Sequence, residues 1–358
     1  MYRHLLVPID GSDLSVDVVG NAVGLARSVG ARITFFHSVS DPSRSLLGDA
    51  EILRLVDPAD HAYAFAGKAR ELLAKAEAAA RACGVPCESR HAASDKPAAA
   101  IVAAAHAAGC DLIFMASHGH RGRLGMALAS ETLGVLMTAG LPVLVSSTGE
   151  PAAPAHAIGI IRDEHRSLAA VLHAWMHALA AARSEGTAAD ARLMRAIVRY
   201  VQAFPLALHH PKEDRHLFKR LRERSDELDT ELDELERQHE RDHRLVAELA
   251  QQVETLAACE DAAAAVAATR ALEPAVQAYA SFLWDHMGRE EGVILPAAQR
   301  LLSEADWAEI DAEFRRNRDP QFSGDTDKEY RQLFSRIVNA AAAWEAEPGP
   351  APVSAAGG

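Results

Sequence analysis

At 358 residues the chain has room for two or three domains, and 49% hydrophobic with 24% charged residues is ordinary globular composition. The net charge of -13 lies almost wholly after residue 150 and argues against a nucleic-acid partner, whose phosphates it would repel. No apolar run reaches the roughly 18 residues of a membrane span, and the N-terminus lacks a leader pattern, so a soluble cytoplasmic protein without membrane contact is expected.

Residues 1 to 148 alternate short apolar runs with helical patterns. His4 to Asp10, Ala31 to Val39, Pro86 to Ala93, Cys110 to Ser117 and Leu141 to Ser147 read as strands. Ser15 to Ser28, Ala59 to Cys83, Lys96 to Ala108 and Ser130 to Ala139 read as helices between them. Strands that are apolar throughout, joined by crossover helices, predict an α/β doubly wound sheet of five parallel strands covered on both faces. Such sheets bind ligands beyond the strand C-termini where strand order reverses. The ends of the first and fourth strands, Pro8-Ile9-Asp10-Gly11-Ser12 and Ala116-Ser117-His118-Gly119, would meet there. Cys83, Cys87, Cys110 and Cys259 lack the two-residue gap of zinc knuckles or redox pairs and read as free thiols.

Residues 149 to 157, with Gly149, Pro151 and Pro154, read as a linker. From 158 to 302, four segments show apolar stripes spaced by three and four, predicting an all-α, up-down four-helix bundle. Each stripe carries a histidine where a hydrophobe is due: His165, His209, His239 and His286. His209 with Glu213, His239 with His243 and His286 with Glu290 are four apart, on one helical face and within reach of one ion. On three of the helices the ligand groups lie about twelve residues, roughly 18 Å, from the helix end that alternates up and down, hence in one layer. A buried carboxylate is costly unless paired, and a cation would pair it. Residues 303 to 347 read as accessory helices over the bundle, and the proline, alanine and glycine-rich tail from 348 to 358 as disordered.

The first half resembles the universal stress protein domain. In its nucleotide-binding members the fourth strand opens a loop of glycine, two residues, glycine, nine residues, then glycine and serine, whose amides cradle ATP phosphates. Here Ala116, Gly119, Ala129 and Ser130 take those places, so two of three glycines are alanines, which resist positive φ. The resemblance implies an ATP site formed by Asp10, Ser38, Ala116, Gly119, Arg121, Gly122, Ala129 and Ser130. The competing reading has a loop that only joins strand to helix, with Asp10 capping the first helix. Universal stress domains pair through the last strand, so the resemblance also implies a homodimer across Leu141 to Ser147. The alternative is that the bundle folds back over that edge.

The second half resembles the hemerythrin-type, histidine-histidine-glutamate cation-binding domain. Asp163-Glu164-His165-Arg166, His209-His210-Pro211-Lys212-Glu213-Asp214, Gln238-His239 and His286-Met287-Gly288-Arg289-Glu290-Glu291 carry it, in the family's order. The resemblance implies two non-haem irons per chain, with His165, His209, His239 and His286 as terminal ligands and Glu213 and Glu290 as bridges. Two sub-patterns stay open. The oxygen-carrying type adds a histidine at the place of His243 and puts its last carboxylate at Glu291; the cluster-repair type puts it at Glu290. Helical phase favours Glu290, because five residues turn about 140° from His286. His156, His173, His177, His210 and His216 read as surface histidines, and the Glu213/His216 and Glu236/His239 pairs as flanking lookalikes of ferritin-type sites.

Imidazoles and carboxylates without thiolate suit iron. Five histidines and two carboxylates leave an open position for oxygen, nitric oxide or peroxide. Three functions follow from these expectations: a sensor of a small gas or redox signal; a di-iron enzyme or iron donor, as in iron-sulfur cluster repair; or a nucleotide-binding protein whose metal is structural.

Overall fold

The run His4-Leu5-Leu6-Val7-Pro8 is buried along nearly its whole length, and it occupies the middle of the sheet. The computed structural model describes residues 2–10, 13–39, 58–116, 120–122, 125–127, 130–146 and 156–316. In chain order the first half runs β1 (His4–Pro8), α1 (Asp13–Val29), β2 (Arg32–Val39), α2 (Pro58–Ala82), β3 (Cys87–Ala93), α3 (Pro97–Ala108), β4 (Leu112–Ala116), β5 (His120–Gly122), β6 (Gly125–Ala127), α4 (Ser130–Thr138) and β7 (Val143–Ser146). The five-stranded sheet has the order β3-β2-β1-β4-β7, with every pairing parallel. Alternate side chains of β1 feed different cores. Leu5 and Val7 pack with α1 and α2, whereas Leu6 packs with α3 and α4. The fourth-strand loop contains an antiparallel β5-β6 pair, which the sequence pattern did not suggest. Strand order reverses between β1 and β4, so Asp10 and Ala116 stand just beyond or at the ends of adjacent strands.

The second half begins with α5 (His156–Glu185) and α6 (Ala191–Ala203), the latter capped by Asp190, whose carboxylate accepts from the Arg192 amide at 2.8 Å. That helix continues through π-helical turns at Pro205–His209 and Glu213–Phe218 to Arg224. It is followed by α7 (Asp229–Ala257) and α8 (Ala262–Arg289), which passes through a third π-turn, Glu290–Ile294, and on to Leu301. Then α9 (Glu304–Arg316) covers one end of the bundle and buries Ile310 and Phe314 there. Two apolar clusters fill the bundle. One holds Leu168, Trp175, Tyr200, Val246, Tyr279 and Trp284; the other holds Ile161, Leu217, Phe218, Leu235 and Ile294. The histidines and glutamates of the stripes lie between these clusters on every helix, which is the geometry of one polar layer crossing an up-down-up-down bundle. Residues 149 to 155 of the expected linker lie outside the described residues while 156 and 157 already belong to α5, and the accessory region beyond 316 and the tail lie outside them as well.

The bundle docks on the layer formed by α1 and α2, away from the β7 edge. Helix α8 lies so close to α2 that a Cβ on Gly288 would stand 2.3 Å from the Lys75 carbonyl oxygen, and one on Gly292 would stand 2.3 Å from the Ala79 Cβ. Only glycine lets the two backbones meet at these points. Arg162–Asp17 at 2.6 Å, Arg81–Asp285 at 3.0 Å and His173–Glu71 at 2.7 Å tie the seam together. Strand β7 keeps one side of the sheet, with Leu144 exposed and Leu133, Leu136 and Met137 exposed on the neighbouring α4.

This packing makes Gly288→Ala an overpacking change at a backbone contact. It should cost about 1–3 kcal/mol of stability in urea unfolding. By contrast Gly24, in α1 with nothing within 4 Å of its would-be Cβ, should gain about 0.5–1 kcal/mol as alanine.

Candidate metal centre

The helical stripes bring six of the expected side chains to one buried layer. His165 comes from α5, His209 and Glu213 from the second bundle helix, His239 from α7, and His286 and Glu290 from the fourth; each is at most 5% exposed. Every one of the four imidazoles turns its Nδ1 outward to an acceptor. The Nδ1 of His165 donates to Glu291 Oε1 (2.8 Å), that of His209 to Glu164 Oε2 (2.6 Å), that of His239 to Asp214 Oδ1 (2.9 Å) and that of His286 to Gln238 Oε1 (3.1 Å). A neutral ring that donates through Nδ1 has its lone pair on Nε2, which is the form that ligates a cation.

Those lone pairs converge in two pairs. The Nε2 atoms of His165 and His209 are 3.2 Å apart, and those of His239 and His286 are 3.3 Å apart. Both glutamates span the two pairs. Glu213 places Oε1 3.4 Å from His209 Nε2 and Oε2 3.7 Å from His239 Nε2. Glu290 places Oε2 3.2 Å from His165 Nε2 and Oε1 3.3 Å from His286 Nε2. All four oxygens of these two carboxylates are buried with no hydrogen-bond partner.

Four ring nitrogens converging on one another, and carboxylate oxygens without a hydrogen-bond partner, make an arrangement that bound cations would satisfy. Burial pushes the His286 imidazole down to about 3 and His210 well below its ordinary value, so both rings are neutral donors. Burial, with Glu290 alongside, holds the Glu213 carboxyl well above the usual range. Two ligand groups result, His165, His209, Glu213 and Glu290 in one and His210, Glu213, His239 and His286 in the other, the ligand atoms of each lying within 4.8 Å of one another. Glu213 belongs to both.

Comparison with known proteins agrees with both halves. Residues 1–147 match the model of the universal stress protein family, and residues 156–298 match that of the hemerythrin HHE cation binding domain. The chain joins a universal stress protein domain to a hemerythrin HHE domain. Among solved structures, a universal stress family protein from Burkholderia pseudomallei is 26% identical over 40% of this chain and 96% of its own, with a TM-score of 0.31. A universal stress protein from Archaeoglobus fulgidus is 22% identical over 40% and 98%, with a TM-score of 0.31. Another, solved in complex with cAMP, is 23% identical over 41% and 98%, with a TM-score of 0.30.

In the hemerythrin HHE domain two expected positions need correction. His243 is exposed, because the buried stripe of α7 runs Leu235, His239, Asp242, Val246, Leu249, and His243 sits one residue off it. The fifth imidazole of the layer is instead His210, whose spacing reads as surface; it is 3% exposed and stacks on His239 with ring centroids 4.2 Å apart. The π-turn at Pro205–His209 is the reason. Its wider turn shifts the helical phase, so that His209 and His210 both face inward where an α-helix would present one of them. Glu291 is buried but addresses the far nitrogen of His165 while Glu290 faces the ring pairs, both emerging from the π-turn at Glu290–Ile294. Glu236 pairs with Arg222 on the flank, away from the layer.

Sequence reasoning did not assign Glu164, Asp214, Gln238 or Asp242 a part. The first three hold histidine orientation, and the buried Asp242, beside Tyr279, lies 3.8 Å from His210 Nδ1. Their signal was adjacency: Glu164, Asp214 and Gln238 each neighbour a stripe ligand in sequence, and Asp242 stands on the α7 stripe itself.

In the universal stress protein domain, Asp10 is exposed just past β1, Ser38 lies near the end of β2 and Ala116 ends β4. Arg121 and Gly122 fall in β5 and Ser130 begins α4, while Gly119 and Ala129 lie outside the described residues.

The two histidines at issue separate by metal content. His210→Ala should lower the metal bound per chain or weaken one of two equivalents at least about tenfold, and His243→Ala should leave uptake unchanged. Elemental analysis after dialysis against metal reads both.

Proposed function

We propose that the hemerythrin HHE domain holds two non-haem irons and that the chain is a stress-response protein whose di-iron state answers to oxygen, nitric oxide or redox change, with the universal stress protein domain binding ATP. The observation that carries this reading is the pair of carboxylates, Glu213 and Glu290, each reaching both pairs of Nε2 atoms with oxygens that lack any hydrogen donor. His165, His209, Glu213, Glu290, His239, His286 and His210 would hold the metals. An iron pair supplies redox chemistry and affinity for small diatomic ligands, which nitrogen and carboxylate donors without thiolate suit.

The protein's own contribution is unequal on the two sides. Three imidazoles, His210, His239 and His286, serve one group, and two, His165 and His209, the other, so the His165 side leaves more room for an outside ligand. Apolar clusters above and below exclude bulk water, and the second-sphere acceptors keep each ring in one tautomer. No described helix is long and apolar enough to cross a membrane.

For the nucleotide the support lies at the strand ends. Ser38 Oγ is buried without a partner among the described residues, near the reversal point that Asp10 and Ala116 flank. For a homodimer it lies in the β7 edge, which no described strand pairs, beside exposed Leu133, Leu136, Met137 and Leu144.

Protein purified under anaerobic conditions should carry about two irons with an iron absorption spectrum, and the Glu213→Ala, Glu290→Ala double variant should lose them; full iron in that variant overturns the ligand assignment. ATP should bind in the micromolar range or weaker, with Ala129→Gly tightening it. A flat calorimetric titration for both proteins returns the loop to a mere connection. Light scattering should give twice the monomer mass, and a monomer would remove the strand-edge dimer.

A further inference from the structure

The outer acceptors of three histidines, Glu164, Asp214 and Gln238, belong to the bundle and stand beside ligands on their own helices. Glu291, the acceptor for His165, also stands beside a ligand, Glu290, but is held in addition from the other domain. Its Oε1 takes the His165 Nδ1 proton at 2.8 Å and, on the same atom, a hydrogen bond from Lys75 Nζ at 3.1 Å. Lys75 is on α2, in the universal stress protein domain, 216 residues away along the chain. Glu291 is buried and Lys75 nearly so, with side chains 9% and 11% exposed. Behind the ammonium stands Glu71 at 3.6 Å, itself accepting from His173 of α5 at 2.7 Å and from Lys68 at 3.0 Å. A continuous polar line thus runs His173, Glu71, Lys75, Glu291, His165 across the seam between the domains and ends on a ring of the metal layer.

The position of Lys75 is not left to a flexible stem. Its backbone rests on Gly288, where its carbonyl oxygen and Cα would lie 2.3 and 2.6 Å from a Cβ, and Gly292 gives Ala79 the same closeness one turn on. These two glycines bracket Glu290 and Glu291. The segment that presents both carboxylates is therefore the one against which the other domain is seated.

We propose that Lys75 of the universal stress protein domain is a positioning residue for the metal centre of the hemerythrin HHE domain, acting through Glu291 to fix the orientation and donor strength of His165. This rests on the two-metal reading of the site. Without the ammonium, Glu291 is a buried carboxylate short of a counter-charge, and such a group turns toward water when it can. His165 then loses the acceptor that holds its tautomer and plane. Outer acceptors of ligand histidines typically change metal affinity 10- to 100-fold. The stress domain is thereby part of the metal site, and its seating sets the properties of the His165 side, which is also the side with fewer imidazoles.

The test uses the full chain as wild type, Lys75→Met, Glu291→Gln, the double variant, and Arg81→Gln as a control. Arg81 pairs across the same seam with Asp285, which keeps Arg289, and touches no partner of a ligand ring. Ferrous affinity is read by competition with a chromophoric chelator, and the absorption spectrum is recorded after oxidation. The expected result is that Lys75→Met weakens one of two equivalents about tenfold or more and shifts the absorption band, that Glu291→Gln does likewise, and that the double variant is no worse than the weaker single. Arg81→Gln should match wild type. Wild-type affinity and spectrum in Lys75→Met, additive losses in the double variant, or an equal loss in Arg81→Gln each overturn the proposal while leaving the two-metal site standing. A wild-type chain that takes up no metal overturns both. If Lys75→Met does not fold by circular dichroism, Lys75→Gln, which keeps a donor without charge, is judged by the same outcomes.

Discussion

Two buried carboxylates with no hydrogen-bond partner are the constraint on which the second half of this protein depends. Glu213 and Glu290 are each about 1% exposed, and their four oxygens look only at nitrogen lone pairs and at one another. Like charges so placed cost several kcal/mol each unless a cation or a proton intervenes. The rest of the bundle follows from accommodating them. Nδ1 acceptors from Glu164, Asp214, Gln238 and Glu291 turn the four rings so that their lone pairs converge, and apolar clusters close the layer from both ends.

Three π-turns occur in the bundle, and all three touch this layer: Pro205–His209, Glu213–Phe218 and Glu290–Ile294. A π-turn weakens local hydrogen bonding and persists where it aims side chains that an α-helix could not. Here it lets consecutive residues, His209 with His210 and Glu290 with Glu291, both enter the buried interior. The helix gives up regularity, and the site gains a fifth imidazole and a carboxylate for the outer sphere.

The seam between the halves obeys a different rule, that of close backbone approach. Gly288 and Gly292 remove the side chains that would hold α8 away from α2, and the space is taken by the backbone of Lys75 and by Ala79. The same glycines sit on either side of the glutamates that serve the metal layer. Docking and site geometry therefore share one turn of helix, so strain in either is felt by the other.

How much was legible in the sequence follows from which interactions are local. Strands buried on both faces must be apolar throughout, and helices with one buried face must repeat at three and four, so Leu5 to Val7 and the stripes through His165, His209, Glu213, His239, His286 and Glu290 could be read directly. An imidazole or carboxylate on such a stripe announces itself because a hydrophobe is due there. His210 and Glu291 could not be placed that way, since their phase depends on where a helix admits a π-turn, and packing around the layer decides that; His243 lies on a regular α-helix, one residue off its buried stripe. Nor could Lys75 be read, for a lysine on an amphipathic helix looks solvated until another domain is laid across it. Local periodicity determined which groups converge. Tertiary structure alone decided which side chains stand behind them, because that depends on contacts between residues 25 to 216 positions apart.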